Sequence, residues 1–334
     1  MRRPNMQIKE YNGGEILFKE GDVCDSMFKI VEGSVSVQIK ASNGDSVELT
    51  TLGKDKIFGE MAVFESWPRS ATIVIREDHT KLLEIMRDEI KDFLKEDPQQ
   101  VKNIITNLSH RQKRLMDDYL HACRTIREMD ETKMEREERS DTLLDKITRF
   151  VTTYTRTMHY LTPYHLQNDQ ALDHDSEADK DHSMTFAEDT VIFSEGEESG
   201  SMYFIKRGSV GFFKGYGTAD EKSIASLEGK TFFGDMGLIE KLPRRATAVV
   251  LENDTVLQEI TEENLLELYE RTPEVIIGCM QHMASRMRNL TRDYLASCEM
   301  IATIVVAEKE ERKLTATEKE KKRALIEAAE ELCV

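Results

Sequence analysis

The sequence predicts an α+β fold, mainly β: two tandem antiparallel β-rolls of the jelly-roll barrel kind, each followed by long C-terminal helices. Three observations predict it. A single offset of 175 residues superimposes two long segments without a gap, carrying Phe18, Glu20 and Gly21 onto Phe193, Glu195 and Gly196. The first two-thirds of each segment are short β-rich runs between Gly, Asp and Asn turns, the pattern of a sandwich or barrel. The last third changes to apolar residues at alternating steps of four and three, the pattern of a helix that pairs or packs along one face.

The repeat comes first because it fixes everything after it. The same register carries Gly33-Ser34-Val35 onto Gly208-Ser209-Val210, Phe58-Gly59 onto Phe233-Gly234, Pro98 onto Pro273 and Asp118-Tyr119-Leu120 onto Asp293-Tyr294-Leu295. It ends with Cys123 and Ile126 on Cys298 and Ile301. Strands are expected at SMFKIVEG, SVSVQIK, SVELTTL and SATIVIR in the first copy, and at SMYFIKRG, SVGFFKG and RATAVVL in the second.

The helical stripe of the first copy is Val101, Ile105, Leu108, Gln112, Leu115, Tyr119, Ala122 and Ile126. Ile276, Met280, Met283, Met287, Leu290, Tyr294, Ser297 and Ile301 match it in the second. Such a stripe either packs on its own barrel or pairs with another helix, within the chain or in a homodimer. The expected boundaries are 1–126 for the first domain with its helix, 127–183 for a helical and acidic linker, 184–301 for the second domain with its helix, and 302–334 for a charged helical tail. The linker's NDQALDHDSEADKDH reads as a solvated spacer, because its histidines and carboxylates have no rigid metal-ligand spacing. In the tail, Thr317 and Glu320 are positioned for a capping box ahead of Leu325, Ala328 and Leu332.

Composition narrows the function classes. A net charge of −17 over 334 residues is unsuited to nucleic acid, whose binding draws on phosphate neutralisation by lysine and arginine. No stretch approaches the roughly 20 apolar residues that span a bilayer, and the N-terminus has no apolar run of a signal peptide. A cytoplasmic location is expected. The five cysteines, Cys24, Cys123, Cys279, Cys298 and Cys333, are an odd number without a CxxC pair, which fits reduced thiols. No metal site and no nucleophile motif emerges, so the chain reads as a non-enzyme.

One segment in each copy makes chemical sense around an anion. The first copy has FGEMAVFESWPRSAT at 58–72 and the second FGDMGLIEKLPRRAT at 233–247, with eight of fifteen positions identical. Gly59 frees the backbone for unusual dihedrals. Residues from Glu60 to Phe64 suit a short helix, whose unpaired N–H groups favour an anion. Pro68 stiffens the turn that presents Arg69 to a phosphate. The Glu60 carboxylate would repel that phosphate, so it should face hydroxyl donors, which a ribose supplies. Carboxylate and arginine together suit a sugar phosphate. Trp67 packs beneath the segment or stacks on a base, and its fluorescence should report binding in either case.

This segment closely resembles the phosphate-binding cassette of the cyclic-nucleotide-binding domain family. That family includes catabolite activator proteins, regulatory subunits of cyclic-AMP-dependent kinase, cyclic-GMP-dependent kinases and nucleotide-gated channels. The flanking Glu20-Gly21-Asp22 and Glu32-Gly33-Ser34-Val35 match its pattern as well. The resemblance implies a ligand-binding set of Gly59, Glu60, Met61, Ala62, Arg69, Ser70 and Ala71, and a second set of Gly234, Asp235, Met236, Arg244, Arg245 and Ala246. In it, Glu60 and the Gly59 backbone bind the ribose 2′-hydroxyl. Arg69 pairs with the cyclic phosphate beside backbone N–H groups near Ser70 and Ala71.

The second cassette departs from the pattern. Asp235 shortens the carboxylate's reach by roughly 1.5 Å, and Gly237 in place of alanine loosens the short helix by about 1 kcal/mol. Arg244 is retained, so phosphate capture with poorer ribose recognition is expected there.

The ligand expected is cyclic AMP, with cyclic GMP the alternative that Ser70 leaves open, and no other cofactor is implied. The 33 residues after Ile301 read as mixed-charge helix, not as a DNA-reading domain. The functional expectation is therefore a cyclic-nucleotide sensor that lacks its own effector and signals to an effector protein by repositioning the helices after each barrel. The alternatives are an assembly scaffold with degenerate sites and a regulatory subunit of a separately encoded enzyme.

Overall fold

A computed structural model describes residues 6–23, 25–40, 46–65, 68–131, 182–310 and 312–331. Trp67, Cys24, Cys333 and almost all of the 127–183 linker lie outside the described residues.

Among the described residues, the first copy folds as eight strands. They are β1 (Ile8–Tyr11), β2 (Ile16–Phe18), β3 (Ser26–Glu32), β4 (Val35–Lys40), β5 (Ser46–Leu52), β6 (Ile57–Phe58), β7 (Thr72–Ile75) and β8 (Thr80–Met86). They make two antiparallel sheets in the orders β1-β8-β3-β6 and β2-β7-β4-β5. The second copy repeats this with β9 (Ser183–Phe186), β10 (Val191–Phe193), β11 (Ser201–Arg207), β12 (Ser209–Lys214), β13 (Lys222–Glu228), β14 (Thr231–Phe233), β15 (Thr247–Val250) and β16 (Thr255–Thr261). Its sheets run β14-β11-β16-β9 and β10-β15-β12-β13. The duplication reaches even the irregularities. The register of β3 on β8 slips between Ile30 and Glu32, and that of β11 on β16 between Ile205 and Arg207, 175 residues on.

Between the sheets of each copy lies an aromatic core at matching positions. Phe28 and Phe58 stack at 5.5 Å between ring centroids, with Phe18 at 5.9 and 6.2 Å from them. Tyr203 and Phe233 stack at 5.2 Å, with Phe193 at 6.1 and 6.0 Å. Burying rings of this size supplies much of a barrel's hydrophobic stabilisation.

The helices are α1 (Glu60–Glu65), α2 (Ile90–Glu96), α3 (Gln99–Glu131), α4 (Asp235–Leu238), α5 (Leu265–Arg271), α6 (Pro273–Lys309) and α7 (Ala316–Glu331). Pro273 opens α6 at the one helical position where a missing N–H costs nothing. The first compact unit draws its described residues from 6–97, 121–131 and 291–322, and the second from 98–120, 182–290 and 323–331.

Within the second unit Val101, Ile105, Leu108, Gln112 and Tyr119 are buried, joined by Ile104 and Met116, while Leu115 is only half-buried. The buried face is thus wider than the stripe read from sequence. Of the two readings of that stripe, helix pairing within the chain is observed. In the first unit Cys123 Sγ meets Ser297 Oγ at 3.6 Å, and in the second the Tyr119 hydroxyl donates to the Leu325 carbonyl at 3.2 Å.

The capping box of the last helix sits two residues earlier than expected. Thr315 N–H donates to Glu318 at 2.7 Å, and Glu318 N–H donates to Thr315 Oγ1 at 3.3 Å. Arg312 supports the observed frame, its two Nη atoms donating to the Glu318 oxygens at 3.0 and 3.1 Å. Cys123, Cys279 and Cys298 are buried and are not in disulfides.

Candidate functional site

Each cassette is a strand, a left-handed glycine, a short helix and a loop that returns to the barrel. Gly59 follows β6 at φ 76° and Gly234 follows β14 at φ 75°. A Cβ added there would stand 2.5 Å from Arg69 Nη1 or 2.6 Å from Arg244 Nη1. Both the backbone conformation and the approaching arginine therefore require glycine.

The two arginines are held alike. Arg69 Nη1 donates to the Gly59 carbonyl at 3.2 Å and Nη2 to Ser26 Oγ at 3.2 Å. Arg244 donates to the Gly234 carbonyl at 3.2 Å, and to the carbonyl and hydroxyl of Ser201 at 2.8 and 3.2 Å. Their guanidinium carbons lie 4.0 Å from the Phe18 ring centroid and 4.1 Å from that of Phe193. That arrangement is a cation over the face of the aromatic core.

The backbone closes the loop the same way in both copies. Gly21 N–H donates to the Arg69 carbonyl and Arg69 N–H to the Asp22 carbonyl, each at 2.8 Å. Gly196 and Glu197 serve Arg244 in the same manner at 2.8 and 2.9 Å. Burial lowers the Arg244 pKa from its ordinary value, but a guanidinium remains charged. Its Nε is buried with no hydrogen-bond partner among the described residues.

Glu60 and Asp235 open the short helices and are both buried, at 7% and 1% exposure. Asp235 is held from two helices. Arg286 Nη1, from α6, stands 3.0 Å from Oδ1, and Gln112 Nε2, from α3, donates to Oδ2 at 2.6 Å. Burial works to raise the Asp235 pKa. Arg286, the nearby His282, the Gln112 hydrogen bond and the Met236 N–H together outweigh it and leave the pKa below the ordinary aspartate value.

His282 is itself held down, to about 4, because burial and Arg286 outweigh the attraction of Asp235. Beside them opens a small cleft lined among others by Met116, Asp235, Arg244, Arg245 and Arg286. Three guanidinium groups against one carboxylate make that cleft locally positive on a strongly acidic chain, which favours an anion there.

Gly237 has a packing reason that the sequence did not reveal. A Cβ there would come within 2.5 Å of Ser199 Oγ and 2.8 Å of Arg244 Nη1, so alanine fits only if those side chains shift. Among the other residues expected in the sites, Met61, Ala71, Met236 and Arg245 are half-buried, Ser70 is exposed and Ala246 is buried. The Ala62 side chain lies outside the described residues.

Sequence reasoning missed Ser26, Ser201, Gln112 and Arg286. Ser26 and Ser201 match at the 175-residue offset, as do Arg111 and Arg286, so the repeat carried a signal for three of the four. Gln112 faces Met287 at that offset and had none. Among the described residues no cluster of His, Cys, Asp and Glu could hold a metal ion, and no helix is long and apolar enough to cross a membrane.

The chain matches the family model described as "Cyclic nucleotide-binding domain" twice, over residues 8–97 and 183–272. Among curated proteins it is 42% identical over 65 residues to the cAMP-dependent protein kinase type II regulatory subunit of Drosophila melanogaster, covering 20% of this chain and 17% of that protein. It is 25% identical over 250 residues to the cAMP-dependent protein kinase regulatory subunit of Debaryomyces hansenii, covering 75% of this chain and 42% of that protein. It is 32% identical over 97 residues to the cyclic AMP receptor protein of Thermus thermophilus, 29% of this chain and 44% of that one. In each case the chain spans less than half the relative's length. Among solved structures, the regulatory domain of Toxoplasma gondii PKA with cAMP aligns at 16% identity and a TM-score of 0.25, over 84% of this chain and 85% of that one. A cAMP-bound PfPKA-R fragment aligns at 18% and 0.30, over 85% and 80%.

Proposed function

Because this chain belongs to the cyclic nucleotide-binding domain family, carrying that domain twice, we propose that it is a cyclic AMP sensor and regulatory protein that acts on a separate effector. The observation that supports this best is the pair of matching cassettes, in which a left-handed glycine, a carboxylate and a buried arginine recur in the same geometry. In this reading Arg69 and Arg244 take the cyclic phosphate, and Glu60 and Asp235 face the ribose hydroxyl. Ser70 and Ala71, with Arg245 and Ala246, border the phosphate from the loop.

Cyclic AMP is preferred over cyclic GMP because the related proteins are named for it. The effector is a protein, and a kinase catalytic chain is the class that the regulatory-subunit relatives suggest.

Signalling follows from where the arginines rest. Each guanidinium is folded onto its own glycine carbonyl and aromatic ring. A phosphate that draws it out also draws on the cassette backbone, to which it is bonded. The helices after each barrel then shift to the arrangement that binds ligand better, since a ligand moves an equilibrium only by its differential affinity.

The test is calorimetric titration of the full chain with cyclic AMP and cyclic GMP, repeated on Arg69→Ala and Arg244→Ala. Each single variant should lose one of two binding events. Two events that persist in both variants would reject the assignment of the arginines.

A further inference from the structure

We propose that Gln112 is a ligand-displaced latch on the second cassette. Its side-chain amide occupies the Asp235 oxygen that a ribose hydroxyl would take, so a bound cyclic nucleotide and the seated 109–116 face of α3 exclude one another. The proposal rests on the reading of Asp235 as the ribose-facing carboxylate. All the groups involved belong to the second compact unit.

The geometry begins with how Asp235 is divided. Arg286 holds Oδ1 at 3.0 Å, while Gln112 donates to Oδ2 at 2.6 Å from a side chain only 1% exposed. The Gln112 amide places a neutral N–H donor on a buried carboxylate oxygen, where a sugar hydroxyl would place a neutral O–H donor. Gln112 therefore does for Asp235 what the ligand would do, and the two compete for one acceptor.

Around that contact α3 is seated by a single face. Met116, one turn on from Gln112, lines the cleft itself. On the rim His110 Nδ1 meets Glu240 Oε1, and Lys113 Nζ lies 3.1 Å from Glu240 Oε2. Residues 109, 112, 113 and 116 fall at the three- and four-residue spacing that places side chains on one side of a helix.

The seat is also incompletely satisfied. Gln112 Oε1 and Ser109 Oγ are both buried without a hydrogen-bond partner among the described residues. Leaving a buried acceptor unpaired is costly, and hydration on release recovers that cost. Unseating α3 thus loses the Gln112–Asp235 bond, the Glu240 contacts and the burial of Met116, but restores two groups to water. A ligand that replaces the lost bond at Asp235 can tip such a balance, whereas a fully satisfied interface would resist it.

The test uses the full chain with Arg69→Ala, so that binding reports on the second site. Cyclic AMP is titrated into this protein with and without Gln112→Leu, a change that keeps helix propensity and apolar bulk. Removal of the competing donor should tighten binding about tenfold. On saturation of the Arg69→Ala protein, amide deuterium uptake over residues 105–118 should rise.

An affinity unchanged within twofold, or uptake that does not rise, overturns the latch while leaving the second site a binding site. No binding in either protein overturns the reading of the second site, and the latch with it. If Gln112→Leu does not fold, Gln112→Ala replaces it. It removes the same donor and should likewise tighten binding, and weaker or equal binding overturns the proposal.

Discussion

Arg286 Nη1 stands 3.0 Å from Asp235 Oδ1, joining the helix after the second barrel to a carboxylate that is 1% exposed. The arginine side chain keeps 20% exposure, so one partner is desolvated and the other only partly. An ion pair of this kind contributes modest net stability, yet breaking it strands a buried charge. Arg286→Ala should therefore lower the unfolding free energy by about 3 kcal/mol, measured by chemical denaturation. Adding Asp235→Asn should restore much of the loss. A single variant as stable as the parent would show that the Asp235 carboxylate does not depend on Arg286.

His282 sets a pH dependence of stability. It faces Asp235 and Arg286, and its pKa is lowered to about 4 by burial first and Arg286 next. An unfolded histidine titrates near 6.5. Between pH 6.5 and about 4 the unfolded chain carries the proton and the folded chain does not, so stability falls as pH falls. The slope from this one group is about 1.4 kcal/mol per pH unit. Below that window Asp235, with its depressed pKa, adds a further loss as it protonates. Denaturation midpoints of the parent and His282→Gln from pH 7 to 4.5 should diverge, with the variant flatter. Parallel curves would contradict a neutral buried His282.

The left-handed glycine of the first cassette is the cheapest handle on its shape. Gly59→Ala forces a side chain into φ 76° and into contact with Arg69. A cost of about 1–3 kcal/mol is expected from the backbone alone, together with weaker cyclic nucleotide binding because Arg69 must shift. Thermal melts with and without cyclic AMP check both effects. An unaltered melting temperature and ligand shift would mean that the loop tolerates another backbone conformation.

The duplicated β-rolls, four of the strands in the first copy and three in the second were legible because apolar alternation and turn residues are local. Strands β1, β2 and β6 were not, being four, three and two residues long and so too short to show a period. β8 was also missed. Its TKLLEIM breaks strict alternation, and only its pairing with β3 and β1 makes it central.

In the cassettes, glycine, carboxylate and arginine were readable because they lie within fifteen residues. What surrounds them was not. Gln112 and Asp235 are 123 residues apart, and their meeting depends on helix packing that no local pattern encodes. The tail's capping box was expected at Thr317 and Glu320 and lies at Thr315 and Glu318, where Arg312 also binds Glu318.

The central claim is that cyclic nucleotide binds through the two cassette arginines. It is tested most directly by thermal unfolding of the full chain and of the Arg69→Ala/Arg244→Ala double variant across a cyclic AMP series. Ligand that binds only the folded state stabilises it by about 2.7 kcal/mol at one hundred times Kd. The account predicts a saturating rise in melting temperature for the parent and none for the double variant. No rise in the parent at millimolar cyclic AMP or cyclic GMP, or an equal rise in both proteins, would contradict it.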